Sequence, residues 1–392
     1  MALAIGGMLA LASSMGIGRF VYTPILPVMA AALALTKAGA GLIASANFMG
    51  YLAGALLTAS PWLSRGRRAW FLAALALGAA ATAGMGLTDS MAVFLMLRFL
   101  GGMASAFVLV LGSALIIDRL AIAGRSGLAT VHFAGVGVGI AVSAILVDVL
   151  QAAEAGWRPL WLAAGAAAGI LVPVCAWLIP QEAPTPAALP PAQKRGGAPT
   201  RGLGRLSLCH GLFGFGYVIT ATFLVAVVRA TPDARSLEAT VWIVVGLAAA
   251  PSTLLWGWIG ARQGALRAYG LACLTEAIGV AAGGLWQTPA GVILTAVLLG
   301  GTFMGITSLG FAAARALAPD RQRRSFAVMT AGFGVGQIFG PVVAGWLLDR
   351  TGSFTPPSLI AAAALVAGAS IALWTARMLE PRRSPVAPRE GD

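Results

Sequence analysis

Two arginines, one carboxylate and one histidine stand inside long apolar runs, where ions are expensive. Arg19 is the only charged side chain between Met1 and Thr36. A helix needs about 20 residues to cross a bilayer, so Arg19 lies at membrane depth. An arginine there costs roughly 2.5–3.5 kcal/mol to insert. Arg98, Glu276 and His132 each sit in a further apolar run. A guanidinium presents a planar fork of donors that suits a carboxylate or phosphate. A carboxyl or imidazole at depth is a candidate for proton exchange. The structural alternatives are an arginine that snorkels to the headgroups and polar groups that only bond neighbouring helices.

Other chemistry lacks its residues. Cys175, Cys209 and Cys273 fall in apolar segments without metal-ligand spacing and read as reduced thiols. His132 and His210 form no metal motif, no Gly-x-x-x-x-Gly-Lys-Ser/Thr loop is present to hold ATP, and no His-Glu-x-x-His helix is present. No metal, no cofactor and no enzymatic activity are expected. Energy for any transport is then expected from an ion or solute gradient.

The composition fixes the surroundings of these residues. Hydrophobic residues make up 59% of the chain and charged residues 10%, against about 25% charged in soluble domains. The chain reads as an all-α polytopic membrane protein. Its first residues lack a basic region, so no cleavable signal is expected. Apolar runs predict twelve spans near 8–32, 39–63, 69–88, 91–116, 127–149, 157–179, 206–230, 237–260, 267–286, 290–314, 325–348 and 357–379. With the N-terminus inside, 19 of the 26 basic residues fall in inner segments and 5 in outer ones, leaving Arg19 and Arg98 in the membrane. That is a positive-inside pattern with both termini cytoplasmic. It also accounts for the net charge of +13 as topogenic, without nucleic acid as a partner.

The halves repeat. Leu100-Gly101-Gly102, Arg125-Ser126 and Gly135-Val136-Gly137 recur 199 residues later as Leu299-Gly300-Gly301, Arg324-Ser325 and Gly334-Val335-Gly336. Gly16 and Gly18 recur at Gly214 and Gly216. The expected organisation is a six-helix bundle over 1–180, a Pro/Gly-rich cytoplasmic linker over 181–205, a second bundle over 206–380 and a tail over 381–392. Parallel six-helix repeats form a transporter architecture, with substrate near the midplane between them.

Local chemistry in helix 1 fits that picture. Gly16 and Gly18 permit close helix approach. Pro24 and Pro27 remove backbone donors, which predicts a kinked or broken helix beside a polar cavity. Tyr22, three residues after Arg19, is expected on the same helix face. Gly135, Gly137, Gly334, Gly336, Gly340 and Pro341 are read as a small-residue surface for close packing and sliding between halves. Gly-x-Gly-x-Gly here is no dinucleotide fingerprint, since no strand precedes it.

At this point the chain resembles the major facilitator superfamily (MFS) over its whole length. Leu97-Arg98-Phe99-Leu100-Gly101-Gly102-Met103-Ala104-Ser105-Ala106 is similar to the family's helix-4 motif, and Gly156-Trp157-Arg158 to its signature before helix 6. Gly345-Trp346-Leu347-Leu348-Asp349-Arg350-Thr351-Gly352 resembles the usual end of helix 11, and Gly332 through Pro341 the glycine/proline motif of helix 5 or 11. The loop between helices 2 and 3 departs from the pattern. Gly66-Arg67-Arg68 is kept, but Ala59 and Leu63 replace the glycine and the acid, and Ala261 replaces the acid in the second half. The gating role of that acid is not carried over. Gly18-Arg19-Phe20-Val21-Tyr22-Thr23-Pro24, with Ala221-Thr222-Phe223, resembles the bacterial YbfB/YjiJ branch.

The resemblance implies that helices 1, 4, 7 and 10 line a central cavity. Arg19 and Arg98 then place basic charge on one side of it, opposite their repeat partners Tyr217 and Val297. The pair favours an organic anion as substrate, with Tyr22, Tyr217 and Asn47 as further contacts. Arg98 has a second reading as a helix-bonding or proton-coupling residue. Glu276 and His132 are the other coupling candidates, each with a packing alternative. The expected activity is secondary transport of a small organic anion, coupled to protons, in a bacterial inner membrane and as a monomer. A proton-coupled exporter of drugs or metabolites with the same fold is the alternative.

Overall fold

The computed structural model describes residues 1–58, 60, 66–181, 201–318 and 322–379. Among them are no strands and twelve helices long and apolar enough to cross a membrane. They are α1 (Ala2–Ala32), α2 (Lys37–Leu57), α3 (Arg67–Leu87), α4 (Met91–Ile122), α5 (Ala129–Ala152), α6 (Trp157–Leu178), α7 (Gly202–Ala230), α8 (Pro232–Gln263), α9 (Ala265–Leu285), α10 (Pro289–Leu317), α11 (Ser325–Thr351) and α12 (Thr355–Leu379). In hydrocarbon every backbone group must be satisfied within its own segment, which leaves the helix as the form for apolar runs of this length. Large apolar side chains such as Ile122, Ile170 and Trp177 face outward, as a lipid-facing surface requires.

Several boundaries differ from expectation: α1 begins at Ala2 and not at 8, α2 ends at Leu57 and not at 63, and α8 begins at Pro232 and not at 237. α4 continues to Ile122 because Leu115, Ile116 and Leu120 keep a buried face beyond the predicted end at 116. α7 begins inside the segment expected as linker, with Leu203 and Leu206 packed against Ala313, Ala314 and Met329. Most of that linker and the tail from 381 lie outside the described residues.

The same pairings occur in both halves. α1 packs on α5, α2 on α4, and α3 on α4 and α6; α7 packs on α11, α8 on α10, and α9 on α10 and α12. Between the halves, α2 packs on α11, α5 on α8 and the C-terminal part of α1 on α7. Close approach there is made by residues without side chains. A Cβ on Gly41 would lie 2.1 Å from Pro341 O, and one on Gly137 2.5 Å from Gly246 O.

Polar contacts seal one end of this interface. Asp349 of α11 caps α2 across the halves, accepting from Lys37 N and Ala38 N at 2.9 and 2.8 Å. A carboxylate at a helix N-terminus meets both its free N–H groups and its positive dipole end. Thr23 Oγ1 donates to Ala221 O and Ser45 Oγ to Ile338 O, each at 2.7 Å, and Arg229 Nη2 donates to Gln151 Oε1 at 3.1 Å. These contacts lie toward the end bearing the α1–α2 and α11–α12 connections, away from the chain termini. At the terminal end α4 and α10 make no packing of comparable extent among the described residues.

Candidate functional site

The site is built on an irregular α1. The helix widens to π geometry over Ala12–Ile17 and resumes α geometry at Tyr22–Ala32. Gly18 N and Phe20 N reach five residues back, to Ser13 O and Met15 O, at 2.8 and 3.1 Å. Pro24 has no N–H to offer Phe20 O, which accepts from Thr23 N at 3.2 Å instead. Gly16 sits against Gly139 of α5 so closely that a Cβ would lie 2.3 Å from its Cα. Such π segments mark functional sites in many helices. Here it opens Gly18 O and Arg19 O to a side chain, and Arg98 reaches from α4 to fill the role. Its Nη1 donates to Gly18 O and its Nη2 to Arg19 O, each at 3.2 Å.

Three predicted substrate contacts are therefore engaged with the protein itself. Arg98 holds the α1 break, with the Tyr22 ring 5.0 Å from its guanidinium. The Tyr22 hydroxyl donates to Ala40 O at 2.7 Å, and Asn47 Nδ2 donates to Arg98 O at 3.0 Å. Tyr22 was expected beside Arg19; the change of helical register carries it to Arg98. Arg98 and Tyr22 still line the cavity described below.

Arg19 has a different environment. Its side chain is 3% exposed, and its Nε and Nη2 have no hydrogen-bond partner. The guanidinium lies 4.6 Å from the Phe48 ring, 4.7 Å from Tyr51 and 5.4 Å from Phe20. Ring quadrupoles attract a cation but accept no directed pair of hydrogen bonds from it. Among the described residues, the ion pairs are Arg158–Asp89 and Arg229–Glu238, so Arg19 has no carboxylate within reach.

Two adjoining cavities meet at this point. The first is a tight cleft with room for about one water, lined by Arg19, Tyr22, Thr23, Phe48, Arg98 and Thr222, among others. The second is equally small, with room for about one water, and has the rings of Phe20, Tyr217, Trp242 and Phe303 in its wall. Phe20 and Ala221 belong to both. Tyr217, from α7, accepts a hydrogen bond from Gln337 Nε2 and lies within electrostatic reach of Arg19. Its ring is parallel to those of Phe303 and Phe333, at 5.9 and 5.7 Å. Val297, the repeat partner of Arg98, is exposed and contributes nothing here.

The coupling candidates are separated. Glu276 is fully buried on α9, and neither carboxyl oxygen has a donor. The Thr302 hydroxyl beside it spends its hydrogen on Leu298 O at 2.6 Å. Cys273, Tyr269 and Tyr217 lie within electrostatic range of it. His132 is buried between α1 and α4, against Gly7 and Ile116, with Nε2 3.5 Å from Ser113 Oγ. It lines neither cavity. His210 lies among Phe213, Phe311 and Phe333, its Nδ1 3.3 Å from the Tyr269 hydroxyl.

The packing glycines divide in two. Gly137 meets α8, Gly334 meets Leu52 of α2, and Pro341 meets Gly41, all across the halves. Gly135, Gly336 and Gly340 instead press on α1 or α7 of their own half, contacting Met8, Gly211 and Val218. Residues two apart on an α-helix point to opposite sides, so Gly135 and Gly137, like Gly334 and Gly336, meet different neighbours.

Sequence reasoning missed Phe48, Tyr51, Gln337, Trp242 and Phe303. Phe48 and Tyr51 are three apart on α2, a spacing that puts two rings on one face. That pair was the available signal. Nothing local marks Trp242 or Phe303 as sharing a wall.

Comparison with known proteins agrees with this architecture. The family described as uncharacterised MFS-type transporter YbfB matches residues 11–373. A mutant form of the nucleoside transporter NupG superposes with a TM-score of 0.72 at 17% identity, covering 96% of this chain and 100% of its own. A bacterial homologue of the human lysosomal transporter Spinster, inward-facing and unoccupied, gives 0.70 at 15% identity, with 96% of each chain covered. No curated protein sequence matches the chain. With twelve spans, the paired six-helix pattern and a family match over nearly its full length, the chain belongs to the major facilitator superfamily, among the YbfB-type transporters.

Proposed function

We propose that this transporter moves a small organic anion by alternating access, with Arg19 as the ligand for the anion and protons as the coupling ion. One observation carries the reading: a buried guanidinium with two unpaired nitrogens lines the cavity between the halves. An uncompensated charge at membrane depth is costly, and an anionic solute would supply the missing partner. The chain's basic charge is not neutralised in the cavity by any described acid, which disfavours a cationic solute. Glu276 supports the coupling assignment. Its carboxyl is buried and unpaired on α9, within electrostatic range of Tyr217. The placement of basic residues supports an inner membrane with both termini cytoplasmic. In that orientation the sealed end faces outward. The nucleoside substrate of NupG belongs to a protein 17% identical, and it lends no substrate here.

The test is thermal unfolding of the purified protein against small organic anions and lipophilic cations, since a ligand specific to the folded state raises apparent stability. Stabilisation by an anion, lost in Arg19→Ala and weakened in Arg19→Lys, supports the reading. Stabilisation by cations or neutral amphipaths, unchanged in Arg19→Ala, replaces it with the exporter.

A further inference from the structure

The two halves differ at one junction on the terminal end of the bundle. At the 199-residue repeat, Gly6, Cys175 and Leu178 become Arg205, Trp374 and Arg377. In the first half these residues meet. A Cβ on Gly6 would lie 2.9 Å from Leu178 Cβ, and Cys175 Sγ donates to Gly6 O at 3.6 Å. In the second half the same pair of positions meets again: the Arg205 guanidinium of α7 lies 4.5 Å from the centre of the Trp374 ring of α12. Arg377 follows Trp374 by three residues, so it stands on the same side of α12, at the position where Leu178 touches α1. The repeat thus brings two guanidiniums and a ring to a junction that the first half closes with a glycine and a leucine.

Other arginines at that end are engaged within the protein. Arg68 donates to Ala176 O and Ile179 O at 2.6 and 2.8 Å, and Arg119 to Pro180 O and Gln181 O at 3.1 Å each. Arg158, Arg262 and Arg350 each lie over a tryptophan of their own helix. Among the described residues, Arg205–Trp374 is the arginine–tryptophan contact that joins two helices, and neither Arg205 nor Arg377 has an ion-pair partner. Like charges on facing helices repel. An anion between them removes that repulsion and accepts charge-assisted hydrogen bonds from both.

The flank of the junction selects the anion. Trp374 is 46% exposed, and Leu208, three residues deeper on α7 than Arg205, is 55% exposed. Both belong to the lipid-facing surface. In the orientation proposed above, the arginines stand at the level of the cytoplasmic headgroups and Trp374 in the aromatic belt. Basic groups between spans on that side suit the headgroups of anionic lipids. A free phosphate would use the arginines and leave the apolar flank without a partner.

We propose that an anionic phospholipid of the cytoplasmic leaflet binds between α7 and α12, its phosphate on Arg205 and Arg377 and an acyl chain along Trp374 and Leu208.

Thermal unfolding of the full-length protein in uncharged detergent tests this with three probes: phosphatidylglycerol, phosphatidylcholine of the same chains, and inorganic phosphate. Phosphatidylglycerol well above its dissociation constant should raise the unfolding temperature by roughly 2–4 °C, and the other two should leave it in place. The shift should vanish in the double variant Arg205→Gln/Arg377→Gln. Arg377→Gln alone, at an exposed position that tolerates the change, should lose most of it. Arg262→Gln, which removes the same charge from α8, should keep it. An equal shift from phosphatidylcholine, or a full shift in Arg377→Gln, overturns the site. An equal shift from inorganic phosphate overturns the lipid as its occupant. An equal loss in Arg262→Gln reduces the effect to net charge and overturns the proposal as well.

Discussion

The two halves share one framework and differ in their chemistry. α1 and α7 occupy equivalent places and pack on α5 and α11 in the same way. Yet α1 is broken by a π segment and carries Arg19, whereas α7 is continuous and carries Tyr217 at the matching position. The first half brings cationic groups to the interface. The second brings Tyr217, Trp242 and Phe303, with Glu276 behind them on α9. The scaffold is repeated, and the polar and aromatic residues it carries to the interface are not. Within the first half the two arginines differ as well. Arg98 gives Nη1 and Nη2 to backbone carbonyls and leaves only Nε unpaired, whereas Arg19 leaves both Nε and Nη2 unpaired.

Breaking these contrasts gives outcomes of different size. The largest is expected for Arg19→Ala on substrate affinity. Two charge-assisted hydrogen bonds at roughly 1.5 kcal/mol each amount to about a hundredfold in Kd, measured calorimetrically with a ligand found by the stability screen.

Arg98→Leu should lower folded yield and thermal stability, because it leaves Gly18 O and Arg19 O open inside the bundle. The expected loss is roughly 1–3 kcal/mol. Arg19→Leu should cause no such loss, since it removes an unpaired buried charge. Paired unfolding curves decide between them. Equal losses would erase the distinction between a positioning arginine and a ligand arginine.

Glu276→Gln should abolish accumulation driven by a pH gradient in proteoliposomes while leaving solute exchange. For one proton per solute the lost gain is about tenfold per pH unit. Accumulation that persists would remove Glu276 from coupling and leave it as a packing residue.

Asp349→Asn has the smallest expected effect. It removes the charge at the N-terminus of α2 and keeps one acceptor, at a cost of about 0.3–1 kcal/mol. The population open at that end should rise by a few-fold, read as labelling of cysteines introduced along α1 and α7. Unchanged labelling would show that the glycine contacts alone hold the end shut.

Much of this was legible residue by residue. The length and polarity of apolar runs define twelve spans, because a bilayer allows little other than helices of that length. Gly16, Gly18, Pro24 and Pro27 announce an irregular α1, since proline lacks a donor and glycine admits a neighbouring backbone. Partner choice was not legible. Tyr22 was expected beside Arg19 at regular helical spacing, but the π segment turns it to Arg98. Gly135, Gly336 and Gly340 pack within their own halves, whereas Gly137 and Gly334 meet the opposite half.

The sequence by itself therefore determined the membrane class, the spans, the repeat and the presence of charges that need a purpose. These follow from transfer energies and backbone donors, which act locally. Only the tertiary structure decided which arginine bonds backbone carbonyls and which leaves two guanidinium nitrogens unpaired, and that Trp242 and Phe303 share a wall with Phe20. Hydrogen bonds and ring contacts depend on distances of a few ångströms between segments far apart in the chain, and no local pattern encodes those distances.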